Sequence, residues 1–377
     1  MDFDLSWVLW GLPLAFVLGW LASRFDLRQL RIENRQAPKA YFKGLNFLLN
    51  EQQDQAIDAF IEAVQNDPDT SELHFALGNL FRRRGEYERA VRVHEHLLSR
   101  GDLSREERDR AQHALALDFL RAGLLDRAED ALRKLDGTAY EGEALLALLA
   151  IYERTRDWQN ASRIARKLQA LGEGDFNGRL AHYLCEQAAS VDSQEAESLL
   201  REAMKVAPDA ARPGIELAAL QSRHGDARAA FETLSQTARA VPSHIPLMAK
   251  PLMDAALATN RRGDALAILG EAYEHGHSLD VLEAIAQLQP NPADARDWYV
   301  KHLQREPSLV AASKWLAGEK LEHEQFHAQV QAALDHAARP LMRYRCAACG
   351  FEAKQHFWQC PGCQAWDSYP ARRVEEL

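Results

Sequence analysis

The chain has 377 residues, 47% of them hydrophobic, with 45 basic against 55 acidic side chains and a formal charge of −10. That length is ample for a large buried core. The acidic balance excludes a general nucleic-acid footprint, and no glycine-rich phosphate loop or Gly-x-Ser-x-Gly elbow supports nucleotide or serine hydrolysis.

Leu5 to Ala22 holds no charged residue. At about 1.5 Å rise per residue this run reaches roughly 27 Å, just enough to cross the hydrocarbon layer of a bilayer. Trp7, Trp10 and Trp20 sit near its ends, where amphipathic rings favour the interface, and Pro13 is tolerable inside a membrane helix. Asp2 and Asp4 precede the run; Arg24, Arg28, Arg31, Arg35, Lys39 and Lys43 follow it. This asymmetry places the N-terminus outside and everything after residue 23 in the cytoplasm. A cleaved signal peptide would carry its positive charge ahead of the apolar run. The basic residues recur every three or four positions. On a helix they share one face, which either meets anionic headgroups or only sets topology. Residues 1–23 therefore read as a transmembrane anchor and 24–36 as a basic juxtamembrane segment, with Pro38 ending it.

Residues 37–340 read as an all-α array. Apolar residues recur at i, i+3, i+4 and i+7, and β-branched runs are scarce. Pro208 and Pro242 stand 34 residues apart, the period of tetratricopeptide repeats. In the first unit Gly44, Phe47, Ala56, Phe60, Ala63 and Pro68 fall on the repeat's small, aromatic, large and terminal proline positions. Later units carry Leu77, Gly78, Phe81, Gly85, Tyr87 and Ala90; then Leu115, Phe119, Gly123 and Ala128; then Tyr152, Trp158 and Ala161. A fifth has Ala196, Leu200, Ala203 and Pro208, and a sixth Leu217, Gly225, Ala230 and Leu234. Ala265, Leu269 and Ala272 mark a seventh, and Ala295, Tyr299 and Pro307 an eighth. Small residues let paired helices approach, large ones fill the holes between hairpins, and the units stack into a superhelix. The repeats are degenerate after residue 135, and residues 171–178 form a loop. Cys185 reads as a small core residue.

One motif points to an enzyme. His323-Glu324-Gln325-Phe326-His327 matches the zinc-protease pattern His-Glu-x-x-His, which on a helix sets two imidazoles on one face. A working site needs a third ligand and an open position, and neither a downstream His at the required spacing nor an obvious Glu supplies it. Phe326, Val330, Ala333 and Ala337 instead form an apolar stripe suited to capping the stack. The reading is therefore of a non-enzyme.

The last segment, 341–377, carries Cys346-Ala-Ala-Cys349-Gly350-Phe351 and Cys360-Pro361-Gly362-Cys363. Two Cys-x-x-Cys hooks bring four thiolates onto one tetrahedral ion. A segment this small folds largely on the energy of that ion. In a reducing cytoplasm the cysteines stay thiols, favouring metal over disulfides. Tyr344, Phe351, Phe357, Trp358, Trp366 and Tyr369 are expected to form a mini-core around the ion.

Together, the anchor, the array and the knuckle pair resemble the lipopolysaccharide assembly protein B family. The most specific part is Tyr344 to Trp366. The resemblance implies an inner-membrane protein with a periplasmic N-terminus and a cytoplasmic tetratricopeptide superhelix ending in a rubredoxin-like or zinc-ribbon domain. It implies an adapter for the membrane protease FtsH that promotes degradation of the deacetylase LpxC, with links to lipopolysaccharide assembly and transport proteins. It also implies iron at Cys346, Cys349, Cys360 and Cys363, where four thiolates suit zinc equally well. Homo-oligomerisation is left open. Gln364 stands where rubredoxins place glycine, and the hooks lie closer together than theirs, which argues against electron transfer. A metal- or redox-sensing scaffold is the alternative reading, with a zinc protease behind it.

Overall fold

The computed structural model describes residues 16, 17, 20, 42–67, 69–319 and 324–377. The expected membrane span over 5–22 and the basic segment 24–36 lie outside the described residues, except for Phe16, Val17 and Trp20, which are helical and exposed. Among the described residues no helix is long and apolar enough to cross a membrane. Pro68 and His323 also lie outside them. Lys43, placed by its spacing on the basic stripe, pairs with Glu62 at 3.3 Å. The chain divides into two units, Met1–Thr155 and Arg156–Leu377.

In the first unit the described helices are α1 (42–49), α2 (Gln53–Asn66), α3 (Ser71–Arg84), α4 (Tyr87–Ser99), α5 (Arg105–Ala122), α6 (Leu125–Arg133) and α7 (Glu141–Thr155). Leu73, Leu77, Leu80 and Phe81 bury one side of α3. Ser104 and Glu107 form a capping box that starts α5, satisfying two of its orphan N–H groups. The small-residue positions act as expected. A Cβ on Gly44 would lie 2.7 Å from the Phe60 ring, and one on Gly78 would lie 2.5 Å from the His94 ring. A buried polar network backs this contact. His94 Nδ1 lies 2.5 Å from Asp118 Oδ2, and Arg82 Nη1 donates to Asp118 Oδ1 at 2.8 Å.

The second unit contains α8 (Trp158–Leu171), α9 (Asn177–Ala188), α10 (Ser193–Val206), α11 (Ala211–Arg223), α12 (Ala227–Ala240), α13 (Ile245–Ala258), α14 (Arg262–Gly276), α15 (Leu279–Leu288), α16 (Pro292–Arg305), α17 (Leu309–Ala317) and α18 (His327–Ala338). Asp192 and Asp226 cap α10 and α12 through their carboxylates. Cys185 is wholly buried in the α9–α11 core, and burial pushes its thiol pKa up. A two-stranded antiparallel hairpin, β1 (Tyr344–Arg345) and β2 (Glu352–Ala353), opens the terminal segment, with Tyr344 opposite Ala353.

Two expectations fail near α18. Glu324–Phe326 is a 3-10 turn and α18 begins at His327, so Glu324 and His327 do not share one α-helix, while His323 is outside the described residues. The His327 ring lies 3.1 Å from the Leu316 carbonyl. The stripe of Phe326, Val330, Ala333 and Ala337 is exposed, and Ala338 is the residue α18 buries. The reason is that α18 meets α17 through polar groups. Ser313 Oγ donates to Asp335 at 2.6 Å and Gln331 donates to the Ser313 carbonyl at 3.2 Å.

Candidate metal centre and its seat on the helices

Each hook is a backbone turn closed on itself. In the first, Cys346 N–H donates to the Phe351 carbonyl at 2.9 Å, and Gly350 N–H returns to the Cys346 carbonyl at 2.9 Å. In the second, Cys360 N–H donates to Ala365 at 2.9 Å, and Gln364 N–H returns to Cys360 at 2.8 Å. The turns require a left-handed residue after the second cysteine. Gly350 supplies it at φ 77°, whereas Gln364 is forced into it at φ 61°. The departure from glycine noted in the sequence is thus absorbed as backbone strain.

All five cysteines are free. Cys346 Sγ and Cys363 Sγ stand 3.8 Å apart, Cys349 and Cys360 Sγ 3.7 Å, and all four sulfurs lie within 4.8 Å of one another. Four sulfurs about 2.3 Å from one ion at tetrahedral corners are about 3.8 Å apart. The set therefore fits a closed four-thiolate site with no open position for substrate. Burial opposes ionisation of Cys346, but hydrogen bonding to Ser368 and to the Cys349 and Ala348 backbone wins, and its pKa falls to about 6. Cys349 goes the other way, to about 12: the Phe351 backbone favours its thiolate, but desolvation and the other three sulfurs outweigh it. Such crowding of thiols is relieved by a cation. Bound there, an ion would cross-link the two hooks.

The aromatic residues divide in two. Tyr344 and Tyr369 are buried with Cys346 and Cys360, Phe357 packs against them, and Tyr369 Oη donates to the Phe351 carbonyl at 3.0 Å. Phe351 is exposed. Trp358 and Trp366 do not belong to the mini-core; they seat the knuckle on the helices. Trp366 stacks on His182 of α9 at 4.7 Å between ring centroids and meets Trp158 edge-on at 6.0 Å. Trp358 stacks on His244 at 6.1 Å, just before α13. Asp367 accepts from His182 Nε2 at 2.9 Å, which leaves Nδ1 as an acceptor 3.4 Å from Arg212 of α11.

The tail continues along the starts of alternate helices. Arg373 forks onto both Asp280 oxygens at 2.8 Å each and lies over the Tyr344 ring. Glu376 accepts from the Leu279 N–H at 2.5 Å, opening α15. Glu375 accepts from the Leu309 N–H at 2.6 Å and from Ser308 Oγ at 2.7 Å, opening α17. Two carboxylates from the end of the chain thus cap helices 66 and 97 residues away, where partial positive charge collects. Sequence reasoning missed these contacts. Their one trace in the sequence is the charge of Arg372-Arg373-Val374-Glu375-Glu376, beyond the last cysteine.

Fold and site together define a tetratricopeptide scaffold carrying a four-cysteine metal-binding knuckle. Residues 344–369 match the family model of the rubredoxin metal binding domain, and residues 73–109 that of the tetratricopeptide repeat. Lipopolysaccharide assembly protein B of Escherichia coli strain K12 is 32% identical over 381 residues, covering 97% of this chain and 98% of that one. Its namesake in Haemophilus influenzae strain Rd is 28% identical over 379 residues, covering 95% and 96%. The chain belongs to the lipopolysaccharide assembly protein B family.

Proposed function

We propose that this protein is a membrane-tethered adapter in lipopolysaccharide assembly that works by holding other proteins. The observation that carries this reading is whole-length kinship with proteins of that name, joined to a helical-hairpin array of the kind that grips peptides. The closed sulfur site supports it, because four protein ligands leave no coordination position for a reacting group.

In finer detail, the apolar run 5–22 anchors the chain in the inner membrane with its bulk cytoplasmic, which raises its effective concentration near membrane-bound partners. Those partners are the protease FtsH, the deacetylase LpxC and components of lipopolysaccharide transport, so that the adapter sets how fast LpxC is degraded. The ion at Cys346, Cys349, Cys360 and Cys363 is iron or zinc. An absorption spectrum with elemental analysis of the purified protein separates them, because zinc is colourless. The test of the whole reading is deletion of residues 1–22. LpxC should then accumulate while the array stays folded; a detached chain that regulates as well as the anchored one would sink the tether.

A further inference from the structure

The first unit carries a groove whose chemistry selects a kind of partner, and the argument rests on the adapter reading above. On α3, Ala76, Asn79, Leu80 and Arg83 follow one another at helical spacing along a single face. The upper part of this face, with Leu45 and Leu48 of α1 and Phe60 of α2, encloses an apolar socket of about 180 Å³. The lower part joins Tyr87 and, from α5, Leu117 and Arg121 around a second cavity of about 570 Å³. Asn79 and Arg83 border both. An apolar socket and an arginine-lined cavity therefore lie side by side, with Asn79 and Arg83 between them.

The charges of the groove are left over from the fold. Neighbouring arginines are spent: Arg84 on Asp54 and Glu86, Arg89 on Glu86, Arg110 on Glu72, Arg127 on Glu95. Arg83 and Arg121 are exposed and have no ion-pair partner among the described residues. In a chain of net charge −10, two uncommitted guanidiniums over one cavity are a local excess of positive charge. Arg82 is the opposite case. Fixed by buried Asp118 and the Ala114 carbonyl, it donates to Asn79 Oδ1 at 2.5 Å. This turns the Asn79 amide so that its N–H₂ is the group left to donate, which suits the carbonyl of an extended backbone.

We propose that this groove binds an acidic peptide segment of a partner protein. Carboxylates pair with Arg83 and Arg121, a peptide carbonyl accepts from Asn79, and one large apolar side chain fills the socket between Leu45, Leu48 and Leu80. The protein's own Glu375-Glu376-Leu377 has the right composition, but both glutamate carboxylates are engaged on α15 and α17. The basic residues from Arg24 to Lys43 have the wrong sign.

Fluorescence anisotropy on the full-length chain in detergent micelles tests this. The probes are fluorescein-labelled peptides: one with Glu and Asp flanking a single Leu, a second with Lys in place of every acid, and a third with Ala in place of the Leu. The first should bind, the second should not, and the third should bind more weakly. Arg83→Glu with Arg121→Glu should weaken the first about tenfold or more, the equivalent of about 1.4 kcal/mol. Arg228→Glu with Arg239→Glu, an equal change of charge on exposed arginines of the other unit, should not. Circular dichroism of each variant verifies the fold. No binding of the first peptide, equal binding of the acidic and lysine peptides, or equal loss in the control variant would overturn the proposal. If such a chain still lost LpxC control on removal of residues 1–22, the adapter reading would stand and the groove alone would fall.

Discussion

Single residues in this protein matter where two backbones or a turn leave no slack. Gly78 is such a place. The His94 ring fills the space a Cβ would occupy and is itself held by Asp118, so it has nowhere to go. Gly78→Ala should cost about 1–3 kcal/mol, measured as a lowered denaturant midpoint with unchanged slope. Gln364 is the converse. Its left-handed backbone carries strain of about 1–2 kcal/mol that glycine would not feel. Gln364→Gly should make the metal-loaded knuckle more stable by about 1 kcal/mol, and a chelator should strip the ion more slowly. The sequence identifies both sites, one through repeat spacing and the other as a departure from a rubredoxin hook. It says nothing of His94 as the group above Gly78, because that contact depends on how α4 is rotated against α3.

Among elements, the contrast between hooks and tail is instructive. The four cysteines are legible because their chemistry is local: two residues between thiols already fix what they can bind. The docking of the knuckle is not legible, since His182 and Asp367 lie 185 residues apart. Likewise the spacing of Phe326, Val330, Ala333 and Ala337 shows that α18 has an apolar face but not whether anything covers it. The tail caps make a direct prediction. Glu375→Ala and Glu376→Ala each remove acceptors from a helix start and should cost about 0.5–2 kcal/mol. Hydrogen exchange should quicken first at the Leu309 and Leu279 amides, respectively; unchanged exchange there would refute the capping role. Acid should loosen the same seat. Burial holds the pKa of His244 and of His356 below its ordinary value. A group depressed in this way takes its proton more readily when exposed, so its contribution is complete above about pH 6.5 and declines as pH falls below that. Both rings contact Trp358, so its fluorescence should report loosening between neutral and mildly acidic pH. A flat profile would refute the claim.

At the scale of the molecule, the ion belongs to one unit. Cys346, Cys349, Cys360 and Cys363 and every contact of the knuckle described above lie within Arg156–Leu377. Chelation should therefore unfold residues 344–369, free the tail from α15 and α17 and destabilise the second unit. Protection of amides in Met1–Thr155 should be unchanged, so that hydrogen exchange separates the two units. Simultaneous loss in both would show that metal and array fold as one. The sequence conveys the all-α class and the repeat period, because each hairpin is written locally; the division at residue 155 follows from long-range packing that no short window contains.

The capping of α15 and α17 by Glu375 and Glu376 also fixes an order of events in the cell. These carboxylates are made 66 and 97 residues after the helix starts they cap. Two helices made much earlier must wait, their first amides open to water, until residues 375 and 376 have been made and have left the ribosome. A chain that loses either carboxylate would therefore be marked at a site far from the change.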